Sequence, residues 1–275
     1  MTPGSPSPSR PSRPSREGSA WAPPPARPSL DAGRVDVWRA TLTPEPARLA
    51  ELESHLGSDE LARAARFRAA THRDRFVAAR GQLREVLGWT LGVSPAAVAF
   101  RYGAYGKPEV EPASPLRFNL THAGDLALVA VTRDRRVGVD IEPLREVPDA
   151  DAIVEHFFSA REIGAYRALA DAVRPVAFLT CWTRKEAFVK AVGEGLSHPL
   201  DAFDVTVGPH EAAALLEVRG GDADRWALHE IPAGPGHLAT LAVEAAPAEA
   251  PSTALAFWEV PGRAADWPPP APRPS

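Results

Sequence analysis

The chain has 275 residues, of which 44% are hydrophobic and 24% charged, with 30 prolines, one cysteine and a net charge of −4; this is globular composition, with room for one large domain or two packed lobes. Seventeen of the prolines lie in residues 1–28 and 247–275, and the 218 residues between carry only 13, with 25 basic and 31 acidic side chains. The acidic body argues against a nucleic-acid binder, the lone Cys181 excludes an internal disulfide or a cysteine metal knuckle, and with no apolar run of the ~18 residues needed to span a bilayer and no secretory h-region, a cytoplasmic protein without a membrane partner is expected.

Residues 1–33 are Pro, Ser, Arg and Gly with little to bury, and are expected to form a disordered extension. A strand at Val35–Arg39 opens the fold. A helix over about Pro46–Leu56 follows, then a longer helical stretch from about Asp59 to Leu91, broken near Ala70–His72 and stopped by Gly92. Phe76, Leu83, Leu87 and Leu91 repeat there at helical spacing, and Arg80 falls on the same stripe. A buried arginine needs a partner, either an internal carboxylate or an anionic ligand. Arg63, Arg66, Arg68, Arg73, Arg75 and Arg84 read mostly as a solvated basic face.

Strands are expected at Val98–Tyr102, Arg117–Leu120, Leu126–Thr132 and Val137–Ile141. Helices follow at about Asp149–Ala170 and Pro175–Val192. Phe203–Val207, Leu215–Val218, Trp226–Ile231 and Leu238–Glu244 read as strands, and Ala254–Val260 as a last strand returning to the body. Helices followed by strands in each half predict an α+β fold rather than alternating βαβ units.

Four segments carry candidate chemistry. In Val137-Gly138-Val139-Asp140-Ile141-Glu142 the alternation turns Val137, Val139 and Ile141 one way and Gly138, Asp140 and Glu142 the other. Adjacent carboxylates repel; a hard cation such as Mg²⁺ resolves this, although two acids at a solvated strand end explain the pattern too. In Trp182–Lys190, Phe178, Trp182, Val189 and Val192 form an apolar stripe, with Glu186 and Lys190 sharing a face beside it. They form either a surface ion pair or an acid, base or phosphate-binding pair in a partly dry cleft. Thr121 and His122, at a strand end in Phe118–Asp125, offer a hydroxyl and an imidazole to phosphate, or are structural. Lys107, in the Gly106-Lys107-Pro108 turn, is either a directed cation or a solvated lysine.

Taken in order, Gly106-Lys107-Pro108, Phe118-Asn119-Leu120-Thr121-His122, Gly138-Val139-Asp140-Ile141-Glu142, Phe157-Phe158-Ser159-Ala160-Arg161-Glu162 and Trp182-Thr183-Arg184-Lys185-Glu186-Ala187, with Lys190 and Gly193–Leu196, closely resemble the 4′-phosphopantetheinyl transferase superfamily. The match is to its long, surfactin-synthetase-activating (Sfp) type, over about residues 35–260. The resemblance implies two similar α+β lobes forming a pseudo-dimer within one chain, residues 34–136 and 137–260, with residues 261–275 as a disordered tail. It implies a monomer that transfers the phosphopantetheine arm of coenzyme A to a serine of an apo acyl or peptidyl carrier protein, in polyketide, nonribosomal-peptide or fatty-acid assembly, and releases 3′,5′-ADP.

The resemblance further implies Mg²⁺, or Mn²⁺, held by Asp140, Glu142 and Glu186, an all-oxygen donor set that disfavours Zn²⁺. Asp140, Glu186 and Lys190 become catalytic candidates: Glu186, or a metal-bound water, helps deprotonate the serine, and Lys190 stabilises or protonates the departing phosphate. Lys107, Thr121, His122, Arg63, Arg80 and Lys190 become coenzyme A contacts. Thr121 stands where the family often has serine. Glu60 stands where a relative carries lysine. Glu162 is left between a supporting role and an ordinary helix position. The competing classes are a Mg²⁺-dependent phosphohydrolase of coenzyme A or nucleotides and a non-catalytic binding module for coenzyme A or carrier proteins.

Overall fold

The computed structural model describes residues 21–26, 31, 33–245 and 253–268. In chain order the elements are β1 (Arg34–Thr41), α1 (Pro46–Ser54), α2 (Ser58–Ala64), α3 (Ala70–Leu91), β2 (Ala99–Tyr102), β3 (Pro108–Glu111), β4 (Leu116–Ala123), β5 (Leu126–Arg133) and β6 (Val137–Pro143). They continue with α4 (Ala150–Phe157), α5 (Ala160–Ala168), α6 (Arg174–Val192), β7 (Phe203–Val205), β8 (Leu215–Val218), β9 (Trp226–Glu230), β10 (His237–Glu244) and β11 (Ala254–Glu259). Helices and strands are segregated in sequence, and the fold is α+β.

A four-stranded sheet has the order β11-β1-β5-β4, and a three-stranded sheet the order β6-β10-β9. The returning strand is present: β11 lies parallel to β1, with Arg34 opposite Ala254 and Arg39 opposite Glu259. α3 covers one face of the larger sheet, where Leu83, Val86 and Leu87 pack against Trp38, Phe118 and Val131. α6 supplies Phe178, Leu179, Phe188 and Val189 to a second core with Phe203, Val205 and Ala242. A third core takes one face of both sheets, with Val35, Val37, Leu128 and Ala130 meeting Val137, Val139, Ile141, Leu241 and Val243. This shared apolar cluster joins the two sheets by burying branched side chains from both.

Several elements depart from the sequence reading. The helix expected over 149–170 is two helices, because the Ser159 hydroxyl accepts the Glu162 N–H while the Glu162 carboxylate accepts the Ser159 N–H. That reciprocal capping box starts a new helix at Ala160. β3 was not anticipated, and it pairs antiparallel with β2. Of the extension expected over 1–33, residues 1–20 lie outside the described residues, but Trp21 is buried. Its indole N–H donates to the Pro232 carbonyl at 2.7 Å, its ring meets Phe257 edge-on, and Ala22 bridges Trp258. The tail expected from residue 261 also packs in part, since Trp267 lies against Trp38 and Trp89 with ring centroids 5.4 and 5.6 Å apart. In both places one large aromatic ring offers enough apolar surface to order a proline-rich neighbourhood.

Candidate active site

The site begins with a glycine. β6 turns Val137, Val139 and Ile141 into the shared core, as its alternation requires, so Gly138, Asp140 and Glu142 face the other way. A Cβ at Gly138 would lie 2.2 Å from the Ala187 carbonyl oxygen and 2.3 Å from the Ala191 nitrogen. Only glycine lets α6 rest its backbone directly on this strand. Asp140, two residues further on the same face, is thereby brought against the α6 face that carries Glu186 and Lys190.

The Lys190 ammonium donates to Asp140 Oδ1 at 2.5 Å and to Thr121 Oγ1 at 3.2 Å. The Thr121 hydroxyl in turn donates to Asp140 Oδ1 at 3.4 Å. β4, β6 and α6 thus each place one side chain in a single cluster, and that cluster sits where the two halves of the chain meet. Gly193, in the left-handed conformation at φ 86°, ends α6 just beyond it.

Burial raises the Asp140 carboxyl above the usual carboxylate range, against the lowering effect of Lys190, Thr121 and the Ile141 N–H. Burial also raises Glu142, reinforced by the charge of Asp140. Glu186 is raised by burial first; Lys190 opposes this, while Asp140 and Glu142 add to it. Three half-buried to buried carboxylates, two of them raised further by acidic neighbours, form an environment short of positive charge.

Among the described residues no three of His, Cys, Asp and Glu form a group that holds a metal by themselves, so the acidic triplet is not a closed protein cage. The donor set nevertheless fits a hard cation. Asp140 Oδ2 is buried without a hydrogen-bond partner, and Mg²⁺ is normally held by one or two carboxylates with substrate phosphates and water completing its shell.

The remaining expected residues divide. His122 is exposed on β4, and its imidazole is held below the usual histidine range by desolvation, then by Lys190 and Arg75. A neutral ring beside two cations is suited to receiving an anion. Lys107 is engaged elsewhere: its ammonium donates to the carbonyls of Val137 at 2.9 Å, Lys190 at 2.5 Å and Ala191 at 3.3 Å. Burial, aided by Arg136, lowers it to about 8. A lysine that reads as a turn cation is thus a clasp on the last turn of α6.

Arg80 finds an internal partner. Its Nε donates to Glu60, whose other oxygen accepts Arg84 Nε at 2.5 Å, and both guanidinium groups lie over Phe100. Arg84, read as part of a solvated face, is therefore buried, and also donates to the Val98 carbonyl at 2.7 Å. Arg63 stacks on Phe76 at 5.2 Å, outside the Asp140 cluster. Glu162 has a structural role, bonding the buried Lys185 ammonium at 2.7 Å and accepting the Val205 N–H at 2.8 Å. This pair joins the Phe-Phe-Ser segment to the Trp-Thr-Arg-Lys-Glu segment and leaves Glu186 to face the cluster.

The family model described as the 4′-phosphopantetheinyl transferase superfamily matches residues 136–242. The 4′-phosphopantetheinyl transferase HetI of Nostoc is 39% identical over 226 residues, covering 81% of this chain and 93% of the relative. A 4′-phosphopantetheinyl transferase of Bacillus subtilis is 33% identical over 123 residues, covering 45% of this chain and 54% of that protein. The crystal structure of Thermotoga maritima holo-[acyl-carrier-protein] synthase aligns with 39% of this chain and 61% of that chain, at 20% identity and a TM-score of 0.32.

Proposed function

This chain belongs to the 4′-phosphopantetheinyl transferase superfamily, and from that premise we propose that it transfers the 4′-phosphopantetheine arm of coenzyme A to a serine of an apo acyl or peptidyl carrier protein, releasing 3′,5′-ADP. The supporting observation is the convergence of Thr121, Asp140 and Lys190 from three elements, with Glu186 beside them on α6. The serine oxygen attacks the β-phosphorus of the pyrophosphate. The bond to the ADP phosphate breaks, and the serine proton must leave as the new phosphodiester forms.

Glu186 is the assigned acceptor of that proton. Lys190 moves from Asp140 toward the developing charge on the departing phosphate, and Thr121 and His122 offer a hydroxyl and a ring nitrogen to phosphate oxygens. A divalent cation, Mg²⁺ or Mn²⁺, held by Asp140, Glu142 and Glu186 together with the pyrophosphate, would supply charge neutralisation and orient the reacting oxygens. Residues 34–136 and 137–260 act as the two halves of a pseudo-dimer, so that a monomer is competent. Among the described residues no helix is long and apolar enough to cross a membrane.

The test is mass spectrometry of several apo carrier proteins incubated with coenzyme A, Mg²⁺ and the enzyme. A gain of one phosphopantetheine on the carrier serine, lost on adding a chelator, is expected. Cleavage of coenzyme A without any carrier would instead mark a phosphohydrolase. No gain on any carrier would overturn the assignment.

A further inference from the structure

β6 carries Asp140, yet among the described residues only one of its edges is paired by another strand. Its ladder with β10 sets Gly138 opposite Ala242 and Asp140 opposite Thr240. The opposite edge faces β4 across the seam between the two sheets, and no ladder joins them. A buried strand edge cannot leave its N–H and C=O groups unpaired. Here side chains take the place of a strand. The Val137 carbonyl accepts the Lys107 ammonium at 2.9 Å. The Val139 N–H donates to Asn119 Oδ1 at 2.9 Å, in a fully buried contact.

Asn119 and Thr121 lie two apart on β4 and share one face, as do alternate residues of any strand. Val139 and Asp140 are consecutive on β6. The Asn119–Val139 bond therefore fixes the height of β6 against β4 one step before the point where Thr121 Oγ1 meets Asp140 Oδ1. A main-chain ladder would bring the strands to about 4.8 Å. A side-chain rung holds them further apart, which leaves width for Thr121 and Lys190 to reach the same carboxylate from different sides.

We infer that Asn119 is a positioning residue of the transferase: through Val139 it sets where Asp140 stands relative to Thr121 and Lys190, with Lys107 as the companion rung at Val137. This rests on the proposed transfer reaction. It extends that reaction to a residue that touches neither the phosphates nor a cation in the scheme above.

The experiment compares wild type with Asn119→Leu, which keeps the shape and removes the acceptor. Amide hydrogen exchange by NMR should show Val139 exchanging at least about 100-fold faster, with the Leu241 and Val243 amides unchanged, since deletion of one buried partner opens one site locally. Carrier modification at 15 °C should show kcat reduced 10- to 100-fold with the KM for coenzyme A within threefold, the pattern of lost alignment rather than lost binding. Leu52→Ala, in the distant α1–α3 contact, serves as a destabilised control and should keep kcat. If Asn119→Leu does not fold, Asn119→Ala, which leaves room for water on the Val139 N–H, is measured in the same way. Unchanged kcat with accelerated Val139 exchange would mean that the rung is merely structural, and unchanged exchange would mean that it does not exist; either result overturns the inference. An inactive wild type would instead overturn the transferase reading.

Discussion

Replacing Gly138 by alanine adds one methyl group at the contact on which the site is built. That methyl would stand 2.2 Å from the Ala187 carbonyl oxygen and 2.3 Å from the Ala191 nitrogen, where ordinary contacts begin near 3.4 Å. Both obstacles are backbone, so neither can rotate aside, and α6 must move off β6 by about 1 Å. Overpacking of this kind costs about 1–3 kcal/mol, occasionally more, and a rigid obstacle on both sides favours the upper end. Alanine also restricts the unfolded chain, which returns about 0.4–1 kcal/mol. The net loss is then about 2 kcal/mol, or roughly 4–8 °C in melting temperature for a domain of this size. The same shift separates Lys190 from Asp140, and a 1 Å misplacement can reduce turnover by about 100-fold. Differential scanning fluorimetry and carrier modification read the two effects. A variant that melts within 1 °C of wild type and retains full turnover would show that α6 does not rest on this glycine.

Glu186→Gln removes a carboxylate that burial and two acidic neighbours disfavour, so transfer should be lost while the melting temperature at pH 7 stays level or rises. Because that carboxyl titrates above its unfolded value, its contribution to wild-type stability improves as pH falls through the raised pKa, and urea unfolding at several pH values should show the variant's advantage shrinking in acid. Lys107 has the opposite sign: its folded value, about 8, lies below the usual lysine value of about 10.4. Below pH 8 the ammonium is kept at a cost to the fold, and that cost is relieved as pH rises from about 8 toward 10, so wild type should gain stability relative to Lys107→Met across that range; a constant difference in urea midpoints would show that burial does not lower this lysine. Trp267→Ala should cost about 2 kcal/mol, less than the 3–5 of a fully buried tryptophan, because the ring is only partly covered; turnover should be kept, and a melting temperature equal to wild type would remove the tail from the fold.

The periodic parts of the chain were readable in advance. The alternation in Val137–Glu142 gave the correct core face and the correct acidic face, and the returning strand and the C-terminal half of α3 also follow from apolar spacing. What was not readable depends on partners distant in sequence. Nothing near Lys107 announces that its acceptors lie on β6 and α6, so it reads as a solvated turn residue or a phosphate ligand. Arg80 and Arg84 find Glu60 from the preceding helix, and only tertiary packing decides between a carboxylate and a ligand. Asn119 lies inside a motif yet carries no local sign that its amide replaces a missing strand. Ser159 and Glu162 have capping-box spacing, a signal in the sequence that splits the helix expected over 149–170. Trp21 and Trp267 were obscured by composition, since proline content describes a segment and anchoring needs only one residue.

The pairing of β1 with β11 also dictates the order in which the protein can be completed on the ribosome. Arg34 must wait for Ala254, some 220 residues later, which at about 5–20 residues per second is roughly 10–40 s of synthesis. During that interval the first-made sheet has an open edge at β1, a template for pairing with the wrong chain. β1 is thus made early yet is among the last strands to be enclosed, and changes that weaken β11 act on the yield of nascent chains before they act on the finished enzyme.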